Sequence, residues 1–114
     1  MREAEYVAAD AVRYVQLHAG EPIANADLAA AVGVNSEELH RVLREVFEQT
    51  PRQVVRRVRV EGVRAELLRS DPRTTAITTI AKRWGFVHLA RFTAAYRARC
   101  NEPPEQTHRR TAAG

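Results

Sequence analysis

Residues 28–34 read LAAAVGV and residues 80–86 read IAKRWGF. Each is an aliphatic residue, an alanine, three further residues, a glycine and an apolar residue, and the two stand 52 positions apart. Past the glycine the register slips by one, so that Leu39 and Leu43 answer to Phe92 and Tyr96 with the same i, i+4 spacing. A helix, a glycine turn and a second helix with an inward pair, present twice, is the pattern of a duplicated helix-turn-helix. The residue types follow from the geometry. Ala29 and Ala81 leave room for the second helix to cross, and Gly33 and Gly85 stand where the chain must turn through positive φ. Leu28, Val34 and Leu39, with Ile80, Phe86 and Phe92, are the expected buried ties. One helix pair joined through glycine would be ordinary in any all-α bundle; two, with a basic segment between them, are not.

Working outward, the connecting segment carries its own start signal. Thr50 reads as an N-cap, Pro51 as the tolerated first position, and Gln53 can reach back from the third. Asp71-Pro72 ends that helix near Ser70. Upstream, Val7, Ala11, Tyr14, Val15 and His18 recur at helical spacing until Gly20-Glu21-Pro22. Asn25 is the expected N-cap of a short helix through Val32, and Asn35 with Glu38 that of the next, whose inner stripe is Leu39, Val42, Leu43 and Val46. Downstream come a loop at 71–76, a short helix ending at Gly85, a longer one over about His88–Arg99, and a last one opened by Pro103-Pro104. The expectation is an all-α domain over 1–114 with seven helices and no sheet. Its first helix-turn-helix subdomain covers about 6–49, a central linker helix about 51–70, and the second subdomain about 77–110. Gly62, mid-linker, costs about 1 kcal/mol relative to alanine unless it permits close packing.

A chain of 114 residues, 45% hydrophobic, supports one core or two small lobes. The net charge of +4 hides an asymmetry. Residues 1–50 hold four arginines against nine acids, whereas 51–114 hold fourteen basic residues against five acids. Such a bias is what a polyanion-facing surface leaves, because each neutralised phosphate releases condensed counterions; a solvated basic face is the plain alternative. No apolar run approaches the roughly 20 residues of a membrane span, and no signal peptide is visible, so a soluble cytoplasmic protein without membrane contact is expected. Cys100, the single cysteine, has no internal disulfide partner. His18, His40, His88 and His108 are scattered without carboxylate or thiol at ligand spacing, and no glycine loop is built to cradle phosphate. Hence no metal, no cofactor and no catalysis are expected.

The stretch IAKRWGFVHLARFTAAYRARCNEPPEQTHRR, residues 80–110, resembles the AraC/XylS family of bacterial transcription regulators. Ile80, Ala81, Gly85, Phe86, Phe92, Tyr96, Arg97 and Pro104 fit its pattern. His88, Leu89, Arg91 and Phe92, with Glu102, Pro104 and Thr107, are similar to its XylS-like branch, and Arg59-Val60-Glu61 followed by Leu67-Leu68 is similar to its linker. The resemblance implies a sequence-specific module that binds double-stranded DNA, with recognition helices at about 36–47 and 88–99 in successive major grooves. It also implies an effector or dimerisation domain ahead of this region, so the chain reads as a fragment, monomeric alone, with a single-domain regulator as the alternative; RNA polymerase subunits are a further expected partner. Carried over by position, the base-facing residues are Ser36, Glu37, His40, Arg41 and Arg44 in the first unit. In the second they are Leu89, Ala90, Arg91, Thr93 and Ala94. Four positions depart from the family's habit: Glu37 stands where arginine or an aromatic is common, Ala94 where arginine is, and Glu48 and Asn101 where glycine is usual.

Arg41 could grip guanine O6 and N7 bidentately, or simply pair with Glu37 or Glu45 one turn away. His40 could meet a base edge, a phosphate or only solvent. Arg91 is the first candidate of the second unit, with Thr93 for a thymine methyl or phosphate and Leu89 for apolar contact. Arg56, Arg97, Arg99 and Arg109, with Arg110, are the phosphate candidates, positioning without specifying. The linker arginines spread around their helix and cannot all meet one ligand. Trp84 and Tyr96 read as core rather than stacking platforms. The rival from another class is a helical interaction module, its acidic first half facing a polymerase subunit or companion regulator.

Overall fold

The computed structural model describes residues 2–113, with side chains described from 3 to 110. Among the described residues it has seven helices and no strand: α1 (Arg2–Leu17), α2 (Asn25–Ala31), α3 (Ser36–Phe47), α4 (Pro51–Arg69), α5 (Ile77–Arg83), α6 (Leu89–Cys100) and α7 (Pro104–Ala113). The chain divides into two compact units, Met1–Val58 and Arg59–Gly114, and the boundary falls inside α4.

The first unit packs α1, α2 and α3 around the line Ala8, Ala11 and Val15 of α1. Leu28 and Ala29 of α2, Leu39, Val42 and Leu43 of α3, and Val54, Val55 and Val58 of α4 close this core. Leu28, Leu39 and Leu43 have no exposed surface, and full burial of each contributes about 1.5–3 kcal/mol. The second unit repeats the plan with larger side chains. Val60, Val63 and Leu67 of α4 meet Ile80, Ala81, Phe92 and Tyr96. The rings of Phe86 and Phe92 stand 5.0 Å apart and those of Phe92 and Tyr96 5.8 Å apart, both tilted, an arrangement the ring quadrupole favours.

The helix ends follow the sequence signals with one correction. Thr50 N–H donates to Gln53 Oε1 at 2.8 Å and Gln53 N–H to Thr50 Oγ1 at 3.2 Å, a full capping box opening α4. Glu38 N–H donates to Asn35 Oδ1 at 2.8 Å. Asn25, expected as a cap, is instead the first helical residue, and Ala24 holds the N-cap position in an extended conformation. The reason is Asp27, whose carboxylate accepts from Ala24 N–H at 3.4 Å. A reach-back from the third helical residue replaces the cap side chain.

The two glycine turns are the same structure twice. In the first, Val34 N–H donates to Ala29 O at 3.0 Å and Gly33 N–H to Ala30 O at 3.2 Å. In the second, Phe86 N–H donates to Ala81 O and Gly85 N–H to Lys82 O, each at 3.0 Å. This is a Schellman motif at both places, with Gly33 at φ +79° and Gly85 at φ +89°, where a side chain is disfavoured.

Gly62 is also explained. A Cβ there would lie 2.3 Å from the Trp84 ring. The missing side chain lets the indole lie on the backbone of α4, while Trp84 Nε1 donates to Glu66 Oε1 at 2.7 Å. Trp84 and Tyr96 are thus parts of the second unit's packing, as expected.

Candidate nucleic-acid interface

The same buried stripe that anchors each second helix decides which residues remain outside. On α3, Leu39, Val42 and Leu43 are buried, whereas Ser36, Glu37, His40, Arg41 and Arg44 are all exposed. Counting turns from Leu39 puts Glu37, Arg41 and Arg44 on the line farthest from the core and His40 on its flank, whereas Ser36, three and seven residues before Leu39 and Leu43, shares their side and is exposed at the first position of the helix. Arg41 lies 3.8 Å from Glu45, and both side chains are more than half exposed. Such a pair holds its arginine only loosely. The first turn of α3 carries Glu37 and Glu38. Carboxylates suit a helix N-terminus, and there they oppose any phosphate approaching it.

On α6, Phe92 and Tyr96 are fully buried, Leu89, Ala90, Arg91 and Ala94 are exposed, and Thr93 is half-buried. Here the outermost line is Ala90, Ala94, Arg97 and Ala98, with Arg91 and Thr93 on opposite flanks. Its first turn holds no acid. The turn leading into it exposes Val87 (80% accessible) and Leu89 (53%). Val87 is not among the residues expected at the interface from the sequence; the available signal is an apolar residue just before a candidate groove-facing turn.

The phosphate candidates separate. Arg56, Arg97 and Arg109 are exposed and, among the described residues, make no ion pair. Arg99 lies on the same side of α6 as Phe92, and its guanidinium donates to Glu61 Oε2 of α4 at 2.5 Å. Arg110 is held by Glu102. Glu102 also accepts from the Thr107 hydroxyl, which itself accepts from Tyr96 OH at 2.7 Å. The Thr107 bond, with Arg110 adding, keeps the Glu102 carboxyl below the usual carboxylate range, and burial pushes the Tyr96 phenol up to about 12. The Glu102, Pro104 and Thr107 run is therefore the device that pins α7 to α6.

Of the linker arginines, Arg57 stacks its guanidinium 4.8 Å from the centre of the Phe47 ring and donates to Gln49 at 2.9 Å. Arg59 is partly buried, and that burial lowers its pKa. Arg52, Arg56, Arg64 and Arg69 remain exposed. Glu66 holds Arg83 at 3.3 Å as well as the Trp84 indole. The described residues contain no group of histidine, cysteine and carboxylate side chains able to hold a metal ion, and no helix among them is long and apolar enough to cross a membrane.

A family model described as a helix-turn-helix domain matches residues 28–110, from within α2 to the end of the Glu102–Arg110 network. The chain belongs to the AraC-type helix-turn-helix family. It is 34% identical over 96 residues to the "Probable thc operon regulatory protein" of Rhodococcus erythropolis, covering 84% of this chain and 29% of that protein. It is 29% identical over 98 residues to the "XylDLEGF operon transcriptional activator" of Pseudomonas putida, covering 86% of this chain and 30% of the activator. The chain thus spans under a third of the length of these two curated relatives. A solved AraC-type transcriptional regulator from Chromobacterium violaceum superposes with a TM-score of 0.86 at 22% identity, over 98% of this chain and 97% of that one. A DNA-binding transcriptional dual regulator from Escherichia coli K-12 superposes with a TM-score of 0.83 at 16% identity, over 95% and 94%. At these identities the likeness is one of fold. In this AraC-type domain the two positions that depart from glycine still keep the backbone glycine would give. Glu48 adopts φ +57° and Asn101 φ +61°, both left-handed, closing α3 and α6.

Proposed function

We propose that this domain reads double-stranded DNA in a bipartite site, α3 taking the major groove of one half and α6 that of the other, the halves one helical turn of about 34 Å apart. The carrying observation is the duplication itself. Each unit locks a second helix through a glycine turn and a buried i, i+4 pair, leaving the opposite face exposed and polar or small. In the first half Arg41 and Arg44 read base edges, with His40 at the flank, Ser36 at the start of the helix and Glu37 as an acceptor from cytosine N4. In the second, Arg91 and Thr93 read from the two flanks, and Ala90 and Ala94 let the helix approach closely beside Leu89. Arg56, Arg97 and Arg109 position the domain on phosphates. Arg99, exposed but engaged by Glu61, is the weaker phosphate candidate. The domain works by binding alone and carries no catalytic step.

The test is a fluorescence anisotropy titration on duplexes over a range of salt. Sequence-selective affinity that falls steeply as salt rises is the expected result. Equal affinity for all duplexes would remove the reading role. A second reading is favoured by Glu37 and Glu38 at the exposed start of α3: the first unit docks on protein, such as a polymerase subunit, while only the second grips DNA. Scrambling either half-site in turn separates the two readings, because the mixed version tolerates one scramble.

A further inference from the structure

We propose that the outer face of α1 is a homodimerisation surface, pairing antiparallel with the same face of a second copy of this chain. The inner line of α1 is spent on the core, but its outer line is not polar throughout. Tyr6 and Leu17, two large apolar side chains, stand 63% and 70% exposed at its ends. Between them on the same line lie Asp10 and Arg13, both exposed and, among the described residues, without an ion partner. Spacings of four, three and four residues keep all four side chains on one stripe.

The order of these four residues fixes both the occupant and its direction. When a second α1 is laid antiparallel, Tyr6 meets Leu17 of the other copy and Asp10 meets its Arg13. The same two contacts then recur by symmetry. This is the self-complementarity that an isologous two-fold interface requires. A parallel arrangement would set Asp10 against Asp10 and Arg13 against Arg13, which like-charge repulsion disfavours. The apolar contact at each end shields the two exchanged ion pairs from water and strengthens them. A single face of a 16-residue helix buries less than the roughly 1,200 Å² of a standard interface, so the association is weak and reversible. The monomer expected from the sequence is then the dilute limit of this equilibrium.

Sedimentation equilibrium of the 114-residue chain, run from micromolar to about 1 mM, tests the proposal through charge reversal. The unaltered chain should show a reversible monomer–dimer equilibrium. D10R alone and R13D alone each place like charges opposite one another and should weaken self-association at least about tenfold. An equimolar mixture of the two variants should associate again, as a heterodimer, and the double variant D10R/R13D should recover the original constant. Far-UV circular dichroism confirms that each variant is folded, and the double variant keeps the test decisive if a single one is not. A monomer throughout the range, or reversals that leave the constant unchanged, or a mixture that does not recover, overturns it.

Discussion

The two second helices share an interior and almost nothing else. Setting Leu39 of α3 on Phe92 of α6 brings Leu43 onto Tyr96 and Glu48 onto Asn101, and these positions keep their roles as buried pair and left-handed terminus. On the outer line only Arg44 and Arg97 correspond in kind. Glu37 falls on Ala90, Arg41 on Ala94, His40 on Thr93 and Glu38 on Arg91. The interior is fixed because a helix-turn-helix needs a small residue at the crossing, a glycine in the turn and two bulky ties. The outer face is free to diverge because no packing depends on it. One helix consequently offers long hydrogen-bonding side chains behind an acidic first turn. The other offers a smooth alanine line between a cation and a hydroxyl.

The largest expected effect probes the shared interior. Phe92→Ala should lower the stability of the second unit by about 3–5 kcal/mol, and Leu39→Ala that of the first by about 2–5 kcal/mol. Urea unfolding measures both, and a loss below about 1 kcal/mol at either site would break the equivalence.

Gly62→Ala sharpens the contrast between the units, since only the second leans an indole on the linker backbone. Helix propensity favours alanine, yet the Trp84 ring must move, so a net loss of about 1–3 kcal/mol is expected. Stabilisation would show that the contact is dispensable.

At the DNA, Arg41→Ala and Arg91→Ala should each relax discrimination at one base pair by about 1–3 kcal/mol, in different half-sites. Arg97→Ala should instead weaken binding to every duplex and reduce the salt slope by about one. Quantitative titration against single-base variants separates these outcomes, and a uniform loss from Arg91→Ala would move that residue to the phosphates.

The smallest effect concerns the helix ends. Left-handed backbone is costlier for glutamate than for asparagine, so Glu48→Gly should stabilise by about 0.5–1 kcal/mol and Asn101→Gly by less. The same thermal unfolding experiment on both variants checks the order; the reverse order would contradict it.

Much of this was legible because it rests on residue types with a single use. The glycine turns, the i, i+4 pairs and the Thr50–Gln53 capping box could be read directly. The cap of α2 could not, because its hydrogen bond comes from Asp27 and leaves Ala24 without any signature. For Gly62 the choice between a cost and close packing was legible but the packing partner was not, since Trp84 lies beyond a turn and a further helix. Charge alone makes Arg99 a phosphate candidate. Counting from Phe92 through Tyr96 puts it on the side facing α4, where its exposed guanidinium meets Glu61. The line of exposed residues was readable from the buried one, but which of its side chains meet a base depends on the ligand.

Selection of bound sequences from a pool of random duplexes tests the duplicated-reader reading most directly. The prediction is two conserved blocks separated by about one helical turn, one altered by Arg41→Ala and the other by Arg91→Ala. A single conserved block indifferent to Arg41, or no enrichment at all, would contradict it.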